Sequence, residues 1–501
     1  MFQKILRLLG RLEQHFFLWR NTMQIMNNVY EHYDVVIIGG GLGGLVSGNY
    51  LAKAGKKVLL AEQHFQPGGC CTSFKRKGFT FDAGGHFFGS FGEKGFLRKI
   101  IQDLELEDKI KFKEAEPSDY LVFPDFTVKI VRDLSHIEQQ LKSIFPDEEE
   151  GITKFLSYLK TFNYTMSFRI KDKTFREILD SFFRDEKIKA VFDVLLLYIG
   201  LPSKQMSAVA GIILFRDFIL DGGYYPLGSM QNFSNMLAQQ MEKFGGTVML
   251  STKVEKINIE ENKVTGITLK DGRIIQSDYV ISNADANQTF LDMIGEEHLE
   301  QKFVTRLKEM EPSVSHFNVY LGIKSEAVEN LAVKGNTWYV PEYDIEKIYN
   351  KMRTNPFHEN GFIHIAFPSF YDESLSPEGH ESIFLTILAP FKNVSYWKEQ
   401  KESLSQLLIE RAEHIIPELS QNIVVKEIST PQTIYRYTLN SQGANYGWAM
   451  KNSQVSRLRL NQKSPVKGLY LAGHWTLPGA GLATVAQSGY TAAKMILEDT
   501  H

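Results

Sequence analysis

Apolar and polar positions alternate with different periods along the chain, and the period marks out its elements. An apolar, β-branched run from Tyr33 to Ile38 predicts a buried strand, the stretch from Leu45 to Gly55 predicts a helix, and Val58 to Ala61 predicts a second buried strand. Gly39-x-Gly41-x-x-Gly44 separates the first strand from the helix, and the second strand ends at Glu62. Phe79 to Asp82 reads as a short strand, and Leu121–Phe123 with Phe126–Val131 reads as a hairpin turning at Pro124-Asp125. From 147 to 220 the period becomes helical, with Phe155, Leu159, Phe175, Ile178, Phe183 and Val191 among charged residues. Such an insertion is either a greasy cap over a site or a helical subdomain with its own core, and periodicity does not separate the two.

A helix with Phe233, Leu237, Met241 and Phe244 on one face follows Asp221 to Met230 and ends at Gly245-Gly246. Three strands then predict a meander, over 247–259, 264–269 and 274–281, the last after an Asp271-Gly272 turn. Residues 296–420 alternate strands (317–323, 362–367, 383–388) with helices such as 396–415, and show no metal-ligand or nucleophile spacing. A final strand ends at Gly473, and a glycine-rich loop leads into a helix from about Leu482.

The opening segment is a complete βαβ unit, and each part has a physical task. Gly39 allows the sharp turn, Gly41 lets backbone approach a pyrophosphate, and Gly44 lets helix pack on strand. Phosphate then sits on free amides at the positive end of the helix, with Leu42 and Gly43 in its first turn. Glu62 lies roughly 20 residues past the last glycine, where a carboxylate takes the ribose hydroxyls of an adenosine. Its charge repels a 2′-phosphate, so FAD or NAD is favoured over NADP. An ordinary tight turn would explain the glycines but not Glu62. A second such motif is not encoded, which excludes a separate NAD(P)H domain.

Composition narrows the picture further. With 501 residues and 43% hydrophobic content the chain builds about two to three domains. A net charge of −3 without a long basic block argues against nucleic acid as a partner. The only cysteines, Cys70 and Cys71, are adjacent, which fits a reducing, cytoplasmic compartment and no metal site. No apolar run reaches the ~18 to 20 residues that span a bilayer. The first 25 residues differ: Phe2, Ile5, Leu9, Leu12 and Phe16 recur at helical spacing beside Lys4, Arg7, Arg11 and Arg20. That pattern is read as an amphipathic extension, 1–30, which lies on a membrane surface, docks on the protein itself, or is absent if translation begins at Met26.

Several motifs together carry a specific resemblance. Gly39 to Gly44, Gly68-Gly69 with Gly78-Phe79-x-Phe81-Asp82-x-Gly84, Gly223-Tyr224-x-Pro226-x-Gly228-x-Met230, Ser282-Asn283-Ala284-Asp285, and Leu469-Tyr470-x-x-Gly473 with Pro478-Gly479-Ala480-Gly481 resemble the phytoene desaturase family of flavoproteins. That family includes carotenoid cis-trans isomerases and all-trans-retinol saturases, and the Cys70-Cys71, Arg436-Tyr437-Thr438 and Tyr446-Gly447-Trp448 segments look closest to the isomerase and saturase branch. The resemblance implies an α/β, amine-oxidase-like two-lobed fold. A Rossmann-like FAD-binding domain would comprise 31–120, 222–295 and 421–501, and a mixed-sheet and helical substrate domain 121–221 and 296–420. It implies one FAD, with Gly39, Gly41, Gly44 and Glu62 on the ADP half and Gly68, Gly69 and Cys70 along the pyrophosphate and flavin. Val254 would face adenine through its backbone, and Gly473, Gly479, Ala480 and Gly481 would wrap the ribityl and flavin end. Cys70 stands where many relatives carry arginine, and His474 where many carry an acid.

The implied chemistry is desaturation, saturation or cis-trans isomerisation of a long hydrophobic polyene, a carotenoid or retinoid, led through a hydrophobic tunnel. NAD(P)H, quinone or oxygen would exchange electrons transiently at the flavin. His86, in the glycine loop expected near the flavin, is the first candidate acid or base, with Arg436 and Tyr437 second. A lone histidine is more often structural. The alternatives are a flavin amine oxidase, for which a paired-glycine arginine and an amine cage would be expected, and a non-catalytic isoprenoid carrier of the GDP-dissociation-inhibitor type, for which the nucleotide motif would be degenerate.

Overall fold

In the computed structural model, which describes residues 32–216 and 221–500, strand β1 (His32–Ile38) runs into helix α1 (Leu42–Lys53) and the chain returns as β2 (Val58–Ala61). The expectations for residues 1–25 lie outside the described residues. β1 and β2 pair in parallel, with Val35 opposite Val58 and Ile38 opposite Ala61. Gly39 turns the chain at φ +94°, in the left-handed region open to glycine. Close packing fixes Gly44, where a Cβ would stand 2.2 Å from the Gly39 carbonyl oxygen. A hairpin of β3 (Ser73–Arg76) and β4 (Phe79–Asp82) follows, then α2 (Phe96–Asp103), β5 (Phe112–Ala115) and the predicted hairpin as β6 (Asp119–Val122) and β7 (Thr127–Ile130).

Helix α3 (Leu134–Ile144) leads into the insertion, whose α-helices among the described residues are α4 (Glu149–Thr161), α5 (Tyr164–Ile170), α6 (Phe175–Phe182), α7 (Glu186–Leu196) and α8 (Ala208–Leu214). Asp133 and Asp185 cap α3 and α7, and Thr174 and Glu177 make a reciprocal capping box on α6. The apolar positions read from periodicity, Phe155, Phe175 and Phe183 among them, pack into one core with the second sheet and do not line the cavity described below.

After Asp221 come β8 (Gly223–Pro226), which pairs with β5, and α9 (Met230–Lys243), followed by Gly245 at φ +92°. The stretch 247–259, expected as one strand of a meander, is two. β9 (Thr247–Met249) lies parallel to β2 at one edge of the first sheet, and β10 (Val254–Glu260) pairs with β11 (Lys263–Leu269) at the other. The cause is the tip of β2: the Glu62 amide donates to the Met249 carbonyl, the Thr252 amide donates back to the Glu62 carbonyl, and Ser251 turns at φ +53°. The chain therefore crosses beneath Glu62, which places Val254 at the same end of the sheet. β12 (Ile274–Ser282) joins β11 to β1, antiparallel to the former and parallel to the latter.

The remaining elements are α10 (Gln301–Glu309), β13 (Ser315–Lys324), β14 (Asn336–Tyr339), α11 (Ile345–Met352), β15 (Ile363–Ala366), β16 (His380–Ala389), α12 (Val394–Ala412), β17 (Ile423–Ser429), α13 (Pro431–Thr438), β18 (Leu469–Leu471) and α14 (Leu482–Asp499). β18 returns to the first sheet, parallel to β12. The second sheet runs β17-β13-β16-β15-β14-β6-β7. β17, grouped above with the nucleotide segment 421–501, pairs instead with β13, because its apolar positions complete the second sheet's edge. Side chains in this sheet alternate between two environments. Phe317, Val319, Leu385 and Ile363 pack with the helical core, whereas His316, Asn318, His364 and Thr386 on the other face line the cavity.

Candidate functional site

A cavity of about 1080 Å³ is lined by the carboxyl ends of β1 and β2 on one side and by the second sheet and helical cap on the other. Gly41 precedes α1 with no side-chain cap, so first-turn amides are left for a ligand. Gly481 does the same for α14. A Cβ at Gly41 would approach Asn283 Nδ2 to 2.8 Å, and one at Gly43 would stand 2.7 Å from the Gly473 amide nitrogen. Asn283 Nδ2 donates to the Gly39 carbonyl at 3.3 Å, while its Oδ1 is buried with no hydrogen-bond partner. An orphaned acceptor beside uncapped amides fits a bound polar group better than an empty turn.

Glu62 is 7% exposed at the tip of β2. Its Oε2 accepts the Gly40 amide at 2.6 Å and its Oε1 the His64 amide at 2.7 Å. Each oxygen keeps a lone pair for a ribose hydroxyl. Burial drives the Glu62 carboxyl upward against these amide bonds. Gly68 and Gly69 lie against the same loop, the Gly68 amide donating to the Gly40 carbonyl at 2.8 Å and both residues at positive φ. Gly39, Leu42, Cys70, Val254, Gly473, Ala480 and Gly481 also line the cavity, whereas Gly43, Gly44 and Gly479 stand one layer behind. Burial pushes the Cys70 thiol up to about 11, so it is no thiolate at neutral pH. These residues fit a dinucleotide held by main-chain amides, without the arginine common among relatives.

Past the glycines the cavity widens. Phe162, Phe168, Leu197 and Ile213 come from the cap, and His86 stands with its ring 5.0 Å from that of His364 and 5.6 Å from that of Phe384. Burial pulls His86 down to about 4 and His316 down to about 3, and it holds His364 well below the usual range, so all three are neutral at physiological pH. The sheet wall is thus more polar than a plain hydrocarbon tunnel, though uncharged. His474, in place of the expected acid, also lines the cavity, and burial with the neighbouring Arg459 brings it to about 3.

The three proposed acid-base residues are not brought together. Tyr437 lines the cavity at the Glu62 end, its carbonyl accepting Gln63 Nε2 at 3.3 Å and its ring 5.3 Å from that of His64. Arg436 is exposed, holds its guanidinium 5.7 Å from the Tyr437 ring and lies off the cavity lining, because α13 turns that side chain to its outer face. Four functional candidates escaped the sequence: His316, His364, Tyr198 and Asp119. For His316 and His364 the signal was a polar residue at an alternate position of an apolar strand, as in Ile363-His364-Ile365; Tyr198, in a single helical turn after α7, carried no such signal.

Among curated proteins, the chain is 27% identical to prolycopene isomerase 2, chloroplastic, of an Oncidium hybrid cultivar, over 94% of this chain and 84% of that one. It is 25% identical to a 4,4'-diapophytoene desaturase of Methylomonas sp, over 92% and 94%. It is also 25% identical to all-trans-retinol 13,14-reductase of Danio rerio, over 94% and 87%. A crystal structure of an oxidoreductase from Methanosarcina mazei shares the fold with a TM-score of 0.69 at 18% identity, over 93% of this chain and 100% of that one. The family profile for flavin containing amine oxidoreductase matches residues 42–497. A match of that extent, on a two-lobed α/β fold whose cleft offers a dinucleotide free amides and a carboxylate, means that the chain belongs to the flavin containing amine oxidoreductase family, with a flavin as its cofactor.

Proposed function

We propose that the protein is an FAD-dependent oxidoreductase that saturates, isomerises or desaturates C=C bonds of a long hydrophobic polyene, a carotenoid or retinoid, with the saturase and isomerase reactions favoured. The observation that carries this reading is a cavity continuous from Gly41 to a chamber walled by Phe162, Phe168, Leu197 and Phe384. Similarity to proteins named for carotenoid and retinoid reactions supports it.

In this reading Gly39, Gly41, Leu42, Gly43 and Gly44 cradle the pyrophosphate, Glu62 holds the ribose and Val254 borders the adenine. Gly68, Gly69 and Cys70, with Gly473, Gly479, Ala480 and Gly481, surround the flavin half. Bound flavin supplies hydride exchange at its N5. The chain's own task is to exclude water, align a C=C bond and move a proton, and His86 is the residue proposed to move it at the chamber wall. Tyr437 is assigned to the nucleotide end and Arg436 to neither. NAD(P)H or quinone is the proposed electron partner. Peripheral membrane docking is proposed for the cavity's open side, where Phe168 is 57% and Ile213 38% exposed near Lys171 and Arg216.

Purified protein should absorb near 450 nm (about that value for bound oxidised flavin). Glu62→Gln should weaken FAD binding about 10- to 100-fold, the worth of a charge-assisted hydrogen bond. Incubation with lycopene isomers, phytoene and retinol under reducing and oxidising conditions, followed by chromatography, identifies the reaction. Colourless protein that refuses added FAD, or flavoprotein inert toward every polyene, refutes the proposal. Co-sedimentation with anionic vesicles, lost in Phe168→Asp, tests the docking face.

A further inference from the structure

Behind the chamber wall lies a buried carboxylate, and among the described residues no cation forms an ion pair with it. Asp119, at the start of β6, is fully buried, and its partners are two hydroxyls: Ser118 Oγ donates to Oδ2 at 2.9 Å and the Tyr198 hydroxyl donates to Oδ1. The Tyr198 hydroxyl, just past α7, also lies 3.0 Å from Nε2 of His364 on β15. His364 lines the cavity, with the His86 ring 5.0 Å away and the Trp338 ring 4.6 Å away. The described residues give its Nδ1 no hydrogen bond. Three elements distant in sequence thus align a carboxyl, a phenol and an imidazole in one line ending at the reaction chamber.

We propose that Asp119, Tyr198 and His364 form a proton relay that delivers or withdraws one proton at the chamber wall beside His86. The relay rests on the reading of the cavity as a site for C=C chemistry and refines it: His364 takes the proton-moving role given above to His86.

The network has two hydrogen-bonded states. With Asp119 protonated, the carboxyl donates to Tyr198, the phenol donates to His364 Nε2, and the imidazole carries its proton on Nδ1. When Nδ1–H gives that proton to a substrate carbon, the N–H bond breaks and a C–H bond forms. At the same time the phenol proton moves to Nε2 and the Asp119 proton moves to the phenol oxygen. Negative charge ends on Asp119, where the Ser118 and Tyr198 hydroxyls hold it. Bound reduced flavin would supply the hydride for the adjacent carbon, so that the C=C bond would gain two hydrogens against two electrons from the flavin, and desaturation would run the same proton path backwards. At no point does a charged imidazole form in the dry chamber, which is the state that burial disfavours.

Burial holds the Asp119 carboxyl up to about 6, so the store empties within the physiological range. The other titratable groups facing the relay are His86 and His316 across the cavity and Tyr371 beside Tyr198, with the histidines pulled down and both phenols pushed up. Asp119 is therefore the group of this cluster that changes charge near neutrality. In the proton-donating direction turnover falls as pH rises through about 6, and in the reverse direction it rises.

The test is 15N NMR of holoenzyme labelled at histidine, with His364 assigned by loss of its signals in His364→Gln. His364 should change from the Nδ1–H to the Nε2–H tautomer as pH rises through about 6, without an imidazolium stage. Asp119→Asn and Tyr198→Phe should each freeze one tautomer and lower turnover by about 100-fold, the scale of a positioned acid or base. Asp119 and Tyr198 are positioning residues, and the tautomer readout would not respond to a merely structural role. One tautomer at every pH, or full turnover with an unchanged pH profile in Tyr198→Phe, overturns the relay. The tautomer measurement needs no substrate, so its failure is distinct from failure of the polyene assignment.

Discussion

Arg459 is 2% exposed and is bound by backbone carbonyls, among them those of Thr476 at 3.0 Å and of Trp448 and Gln454 at 3.2 and 3.3 Å. Burial brings it down to about 9, so it stays charged at neutral pH. It ties the 448–454 segment to the 474–476 loop that borders the cavity. Lysine cannot reproduce the planar fork, and we predict that Arg459→Lys lowers stability by about 3 kcal/mol or more, read by denaturant unfolding, with weaker flavin retention. The histidines set a pH dependence. His316 stands at about 3 in the fold against an unfolded value of about 6.5, so it takes up a proton on unfolding and its contribution is lost as pH falls below 6.5. Asp82, Asp119 and Asp193, raised to about 6 by burial, act in the opposite sense below that pH. His316→Gln should therefore shift the difference in unfolding free energy between pH 5 and pH 7 by up to ~2 kcal/mol in favour of pH 5. At this scale the turn at Gly39, Gly41 and Gly44 and the place of Glu62 at the strand tip were legible because they answer to local geometry. Tyr198 and His364 were not, since their meaning depends on which strands meet.

At the scale of elements, α1 and α14 cross at glycine. A Cβ at Gly489 would lie 2.1 Å from the Gly43 carbonyl oxygen, so the two helices, and the amides at their starts, come as close as backbone allows. Gly489→Ala should separate them and destabilise the fold by about 1 to 3 kcal/mol, with a larger loss in flavin affinity than in helicity; calorimetry and flavin fluorescence measure both. Period and turn residues identified β1, α1, β2, the β6-β7 hairpin and α14. They did not identify the break between β9 and β10, because Leu250 to Lys253 lacks glycine and proline and the turn is made by hydrogen bonds to Glu62 and to its neighbour His64. The insertion 147–220 answers to both readings offered for it: Phe155 and Phe175 are core, whereas Phe162, Phe168 and Ile213 face the cavity.

For the whole molecule, the two sheets share one cavity, so ligand occupancy and global stability are linked. FAD at about 100 times its dissociation constant should stabilise the protein by about 2.7 kcal/mol, and stripping it should lower the melting temperature in proportion. After stripping, hydrogen exchange should rise in the Gly473–Gly481 loop before it rises in the second sheet, one face of which packs on the helical core. The two-lobed architecture was readable from the order of motifs, but not the membership of β17, which only long-range pairing decides. One arrangement bears on biosynthesis. The cradle unites Gly41, near the start of the chain, with Gly473 and α14, near its finish, through the β12–β18 pairing. An intermediate of synthesis still lacking α14 has half a cradle, so cofactor capture waits on that helix, and in the interval the unclosed cleft is what chaperones and proteases would meet.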